Sequence, residues 1–319
     1  MQYIVGFDIG GTKSSVLLAE TEGESIRFLD RFQIQTKGTW KNVLDILIEK
    51  AEEMLNTYSV SKEGLLAGIS CGGPLNSKTG VIMSPPNLPG WDDVHITDYI
   101  KDNLGCPARL KNDADACALA EWKYGAGKGS ENMIFMTFGT GLGAGLILNG
   151  RLYSGTNGNA GEIGHFRLEE DGPVGYGKAG SFEGFCSGGG IRQIAISKAT
   201  QRLQMGKPVS YMPTADVQDI TTKHVAEACK AGNSDALEVM ALSGHYLGVG
   251  LSLVIDILNP QKIVIGSVFA RAGEFLIPEM QKVLQKEALA PSLSVCEIVP
   301  AMLGEQIGDY GAIVAALDL

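Results

Sequence analysis

Tyr3–Glu20, YIVGFDIGGTKSSVLLAE, is the stretch whose reading decides the fold. It opens with an apolar run that ends on Asp8, turns through a Gly/Thr corner, DIGGTK (Asp8 to Lys13), and leaves along a second apolar run. That is the pattern of a strand, a tight turn and a strand. The glycines let the backbone turn closely enough to bring N–H groups to a phosphate, and Thr12 adds a hydroxyl. Gly6-x4-Gly11-Thr12-Lys13 comes near a Walker A loop. That loop needs Lys directly after Gly and then a helix, whereas β-branched residues follow here. A plain hairpin turn is the alternative, but a carboxylate closing a buried strand is costly unless it is used.

Asn132–Tyr153, NMIFMTFGTGLGAGLILNGRLY, restarts the same programme of apolar strand, Gly/Thr corner and apolar strand. Phe138 to Ala144 satisfies the dinucleotide fingerprint G-x-G-x-x-A, yet GLIL runs straight into the hairpin signal Asn149-Gly150 where a Rossmann site needs a helix. The repeat predicts two related α/β halves. Outward from these hairpins, apolar spacing predicts helices at about Trp40 to Tyr58, Ile96 to Leu104, Ile191 to Gln204, Thr222 to Ala231 and Asp235 to Leu258. An Ala-rich helix is predicted after Asn112, and a last one at about Gly311 to Leu317. Strands mixed with helices of this length make the class α/β.

The 319 residues suffice for two ordinary domains, and 45% hydrophobic with 19% charged residues is a globular composition. A net charge of −10 with no Lys/Arg cluster argues against a nucleic-acid partner. An anion must then be bound locally, by backbone N–H groups and a metal ion. Ile4 to Asp8 reads as a buried strand rather than a signal peptide, and the apolar run Tyr246 to Ile255 is broken by Asp256, so no membrane span is expected. The six cysteines show no C-x-x-C pair and read as reduced thiols of a cytoplasmic protein.

Two further clusters carry chemistry. Asn112-Asp113 falls at a helix N-terminus, where a carboxylate could take the proton of an attacking hydroxyl; an ordinary N-cap is an equal reading of the local pattern. NAGEIGH (Asn159 to His165) and GSFEGFCSGGG (Gly180 to Gly190) set Glu162, His165 and Glu183 among glycines, a set suited to several sugar hydroxyls. Asp115, His95, His224 and His245 read as ordinary structural residues.

Taken together these segments resemble the ROK family of sugar kinases and sugar-responsive repressors over essentially the whole chain. DIGGTK resembles the family's first phosphate motif, NDADACALAE its base-carrying helix start, and FGTGLGAGLILNGRLYSGTNGNAGEIGH its signature. KIVIGSVF resembles its adenosine-side glycine segment. The resemblance implies two actin-like (ribonuclease H-like) domains flanking a cleft: residues 1–112 with a C-terminal helix at about 305–319, and residues 113–304. It implies Asp113 as catalytic base, and Asn87, Asn112, Asp113, Glu162, His165 and Glu183 as sugar ligands. Gly10, Gly11, Thr12 and Lys13, with Gly139, Thr140 and Gly141, would hold the phosphates, Asp8 would sit near Mg²⁺, and Gly266 near the adenosine. The phosphates are thereby expected on the two hairpins and Glu183 on the sugar side alone. A homodimer is implied as well.

Many family members carry C-x-C-G-x-x-G-C-x-E after the His and bind a structural zinc there. In this chain Val174, Tyr176 and Ser181 stand where the thiolates should be, so no zinc is expected and packing of Tyr176 and Phe182 should hold the loop. The function expected is ATP-dependent transfer of the γ-phosphoryl group to a hexose hydroxyl, glucose first, at carbon six. N-acetylhexosamine, mannose, fructose and a β-glucoside are alternative acceptors. A sugar-sensing regulator lacking a DNA-binding domain is the reading from another class; Asp8 lies too near the start for a preceding helix-turn-helix. A sugar-free ATPase would leave Glu162, His165 and Glu183 idle.

Overall fold

The structure is a computed structural model that describes residues 2–23 and 25–317. In chain order its main elements begin with β1 (Gln2–Ile9), β2 (Lys13–Glu22), β3 (Ser25–Gln35), α1 (Trp40–Thr57), β4 (Leu66–Cys71), α2 (Ile96–Leu104), β5 (Ala108–Asn112) and α3 (Asp113–Tyr124). They continue with β6 (Met133–Met136), β7 (Ala144–Leu148), β8 (Arg151–Leu152), α4 (Phe182–Phe185), α5 (Gly188–Gln204) and α6 (Thr222–Lys230). The chain ends with α7 (Ser234–Leu258), β9 (Lys262–Ile265), α8 (Val268–Glu287), β10 (Glu297–Pro300) and α9 (Ile307–Ala316). It divides into two compact units. The first is Met1–Gly129, Gly145–Ala160 and Glu305–Leu319, and the second is Ser130–Ala144 and Gly161–Gly304. The expected α/β class is observed. The helix that starts at Asp113 belongs to the first unit, and residues 318 and 319 of the expected terminal helix lie outside the described residues.

In the first unit five strands run in the order β3-β2-β1-β4-β5. β1, β2 and β3 are antiparallel, and β4 and β5 pair in parallel. β1 is central and covered on both faces, which explains why its middle is a continuous apolar run. Val5, Phe7, Val16 and Leu18 pack with α1 and α2, while Ile4, Leu17 and Ala19 pack with Ala312, Ile313 and Ala316 of α9. Gly6 and Gly68 mark how close α9 comes. A Cβ on Gly6 would lie 3.0 Å from Ala312 Cβ, and one on Gly68 would lie 2.1 Å from the Ala312 carbonyl oxygen.

In the second unit β9 pairs in parallel with both β6 and β10. α7 is long and apolar enough to cross a membrane by length and composition, with half of its most apolar window buried. Its buried side is accounted for within the unit: Gly244 and Gly248 let α8 approach, with Leu276, Met280 and Val283 against them. α8 itself is interrupted by a non-helical Ala272 and contains Pro278. All six cysteines are free thiols.

Candidate active site

In the first unit β1 delivers Asp8 to the edge of the turn Gly10–Lys13, on the face that α9 covers. Gly10 N donates to the Lys13 carbonyl at 3.1 Å and closes the turn. Thr36, which follows β3, fixes it from outside. Its N–H bonds the Thr12 carbonyl at 2.9 Å, its Oγ1 donates to the Gly10 carbonyl at 2.6 Å, and Ser14 Oγ lies 2.8 Å from that same Oγ1. With the carbonyls held from behind, the amides of Gly11 and Thr12 have no protein acceptor among the described residues. That is what a phosphate-binding turn requires. Neither Thr36 nor Ser14 could be recognised in the sequence, because nothing in a strand-end Thr announces which loop it will meet.

Asn87, Asn112 and Asp113 are brought together by the loop after β4. A Cβ on Gly72 would lie 3.5 Å from Asn87 Nδ2 and 3.6 Å from Asp113 Oδ2, and one on Gly73 3.2 Å from Asn112 Nδ2. Asn87 also packs on the turn, since a Cβ on Gly11 would fall 2.3 Å from its carbonyl oxygen. The N-cap reading of Asn112-Asp113 is realised. Asn112 is the N-cap of α3, its Oδ1 accepting from Ala114 N at 2.9 Å, and Asp113 Oδ1 accepts from the same N–H at 2.8 Å. Burial by surrounding protein raises the Asp113 pKa, opposed by the backbone N–H groups of Ala114 and Asp113, although solvent reaches the side chain. A carboxylate so placed is a better proton acceptor than an ordinary Asp. Asp115, buried in the same first turn of α3, accepts from Ser154 Oγ at 2.8 Å and so has the structural role expected of it.

Asp8 is a second carboxylate with a raised pKa. Burial, helped by the negative charges of Asp113 and Asp309 and countered by Arg31, raises its pKa from 3.8 to about 7. Its carboxylate lies against the start of α9, where a Cβ on Gly308 would meet Oδ2 at 2.7 Å. Asp309 is itself held by Arg31 Nε, whose N–H is shared between both carboxylate oxygens at 2.8 and 2.9 Å. A carboxyl held near neutrality by burial and like charges fits a divalent cation, which would supply the missing positive charge. Among the described residues no group of three or more His, Cys, Asp or Glu is arranged to hold a metal on its own. A cation at Asp8 would therefore draw its other ligands from nucleotide and water, as Mg²⁺ does.

In the second unit the turn Thr137–Gly143 is closed by Thr137 N on the Gly143 carbonyl and Gly143 N on Thr137 Oγ1, both at 2.9 Å. The N-terminus of α5 holds it from behind: Gly188 N and Gly189 N donate to the carbonyls of Gly139 and Thr140, at 2.7 and 3.2 Å. The amides of Thr140 and Gly141 are left without a protein acceptor among the described residues. Gly266 sits beside the same turn. Its N–H bonds the Met136 carbonyl at 2.9 Å, and a Cβ on Gly139 would lie 3.6 Å from Ser267 Oγ.

Glu162 and His165 are exposed on a segment laid directly over this turn: a Cβ on Gly161 would meet the Ala144 carbonyl oxygen at 2.0 Å, and one on Gly164 that of Leu142 at 2.2 Å. Glu183 departs from the division expected of it. Its Oε2 accepts from Leu142 N at 2.9 Å, so the residue expected on the sugar side alone also ties down the turn Thr137–Gly143. The loop lacking zinc thiolates is organised differently from the expectation too. Phe182 is buried, but Tyr176 is 66% exposed, and Gln193 does the holding through two bonds to the Val174 backbone, at 2.8 and 2.9 Å. Ser181 caps α4 by accepting from Gly184 N at 3.1 Å.

The same arrangement of segments is found in proteins already characterised. The chain is 33% identical to a glucokinase of Halalkalibacterium halodurans, over 97% of this chain and 93% of that one. It is 27% identical to the xylose repressor of Bacillus subtilis, over 97% of this chain and 75% of the repressor. Its structure superposes with a TM-score of 0.76 on a ROK family glucokinase from Streptomyces griseus in complex with glucose and AMPPNP. The two are 26% identical over 98% of this chain and 99% of that one. The ROK family model matches residues 4–318, from the strand that carries Asp8 to the helix that seats it, and the chain belongs to the ROK family.

Proposed function

We propose that the chain is an ATP-dependent glucose kinase that transfers the γ-phosphoryl group to the sugar's 6-hydroxyl. The observation that carries this reading is Asp113, set at the start of α3 beside Asn87 and Asn112, with its pKa raised by burial. A sugar-free ATPase has no use for that trio, and the glucokinase relatives act on the sugar their name gives.

Asp113 accepts the proton of the attacking hydroxyl, while Asn87 and Asn112 orient the sugar in the first unit. In the second, Glu162, His165 and Glu183 accept from or donate to sugar hydroxyls. The amides of Gly11, Thr12, Thr140 and Gly141, with the Thr12 hydroxyl and Lys13, receive phosphate oxygens, and Gly266 lies on the adenosine side. Mg²⁺, when bound with the nucleotide at Asp8, neutralises charge on the phosphates. Asp8 orients that assembly without taking the hydroxyl proton. A cytoplasmic location and a homodimer belong to the same reading; the free thiols support the first, and the exposed Leu253 and Ile257 of α7 the second.

A coupled assay of ADP release over a panel of sugars tests the proposal. Glucose should be turned over with the highest kcat/KM, ahead of mannose, fructose, N-acetylhexosamines and β-glucosides. Stabilisation of the protein by a sugar without any sugar-dependent ADP release would refute the kinase and favour a sugar-responsive regulator.

A further inference from the structure

Ser14 and Ser15 are both buried in β2, at 1% and 2% exposure, and they differ in one respect. Ser14 reaches Thr36, whereas Ser15 Oγ has no hydrogen-bond partner among the described residues. A buried hydroxyl without a partner is destabilising relative to alanine, because its hydration is lost and nothing replaces it. A strand interior among Leu and Val side chains gains nothing from keeping one.

The strand register shows where that hydroxyl points. Ser15 stands directly opposite Asp8 in the antiparallel pair β1–β2, so both side chains lie on the same face of the sheet. It is the face that α9 covers, because Gly6 and Leu17, two residues along each strand, both meet α9. Gln33 completes the row on β3. On one side of this row Arg31 Nε holds Asp309 and Arg31 Nη2 donates to Gln33 Oε1 at 3.0 Å; on the other, Ser70 of β4 flanks Asp8 across the parallel pair β1–β4 and is also buried. Of the two hydroxyls beside Asp8, Ser15 Oγ is the one fully buried without a partner among the described residues, and Cβ atoms directly opposite across an antiparallel pair are about 5 Å apart. Rotation of the two side chains closes that gap.

We propose that the Ser15 hydroxyl donates to the Asp8 carboxylate in the working enzyme, which makes Ser15 a positioning residue for phosphoryl transfer. The inference rests on the kinase reading for the role of Asp8, but not for the pairing itself. An ionised Asp8 must accept hydrogen bonds from somewhere on its buried side, and Ser15 is poised to give one. A donor fixed there sets the direction in which the second carboxylate oxygen meets the metal-bound nucleotide.

Ser15→Ala separates this role from a structural one. The apoprotein's Tm should stay level or rise, since the hydroxyl removed has no partner in the fold. Calorimetric affinity for Mg·ADP should fall about fivefold and kcat about tenfold, the effect of losing one hydrogen bond to a charged acceptor. The KM for glucose should stay within twofold. Mg·ADP affinity and kcat both within twofold of wild type would overturn the proposal. So would a fall in Tm of more than about 3 °C, which would mark the hydroxyl as satisfied in the fold. If wild type itself fails to turn over any sugar, the kinase reading falls, and the Tm and Mg·ADP measurements still decide the pairing.

Discussion

Replacing Asp8 by Asn should make the metal-free protein more stable, by an amount that depends on pH. The Asp8 pKa is about 7 against an ordinary 3.8, because burial and the charges of Asp113 and Asp309 disfavour the ion. Three units at about 1.4 kcal/mol each set a ceiling of about 4 kcal/mol. Residual hydration of a partly exposed carboxylate lowers the realised value to roughly half of that. A raised acid pKa means that the native state keeps a proton which the unfolded chain has already lost. Wild-type stability from this group is therefore fully present below about pH 4, declines as pH rises to about 7, and is flat above. Asparagine is neutral throughout and removes the decline. At ~2–4 °C per kcal/mol for units of this size, the variant's Tm advantage should grow by about 4–8 °C between pH 4.5 and pH 8. Differential scanning calorimetry in chelator at several pH values measures it. A Tm difference constant to within about 1 °C across that range would refute the reasoning, as would a variant less stable than wild type at pH 8.

Asp113→Asn should keep the fold, because Asn112 still caps α3 through Ala114 N. It should lower kcat about 10²–10⁴-fold with little change in glucose binding, measured by coupled ADP release and by calorimetry. A kcat above a third of wild type would remove Asp113 as the base. Glu183→Ala should raise the KM for ATP as well as for glucose, because it strips the Leu142 N–H of its acceptor. The orphaned buried donor should cost about 1–3 kcal/mol, read as a fall in Tm of several degrees. An unchanged KM for ATP would show that the bond does not shape the phosphate turn.

The hairpins and most helices were legible because their signals are local. The run Tyr3–Glu20 carries its own period and its own turn, and helices such as Ile96–Leu104 stand where the apolar spacing puts them. The failures have physical causes. α8, twenty residues long, goes unread because Gly273, Pro278 and a non-helical Ala272 break its pattern, and packing on α7 holds it together regardless. α9 begins a turn before the start that apolar spacing gives at Gly311, though inside the helix at about 305–319 that the resemblance implies, and its Gly308 seats Asp8. In the site, residues that act through their own local motif could be named in advance. Thr36, Asp309 and the Leu142–Glu183 bond could not, since each joins segments far apart in sequence. The glycine-rich setting of Glu183 points to a sugar ligand and says nothing of a backbone amide forty-one residues away.

The close approach of α9 to β1 and β4 also fixes an order of events during synthesis. The first unit is assembled from the beginning of the chain and its last residues, with one hairpin from the middle. Until Ile307–Ala316 has left the ribosome, Ile4 and Leu17 have no cover, and the bare backbone at Gly6 and Gly68 faces water. The second unit, nearly continuous from Gly161 to Gly304, has all of that segment available earlier. Although the first unit's opening strands precede it in the chain, the second unit can complete itself before the first. The turn at Gly10–Lys13 is made long before the helix Ile307–Ala316 that seats the carboxylate beside it.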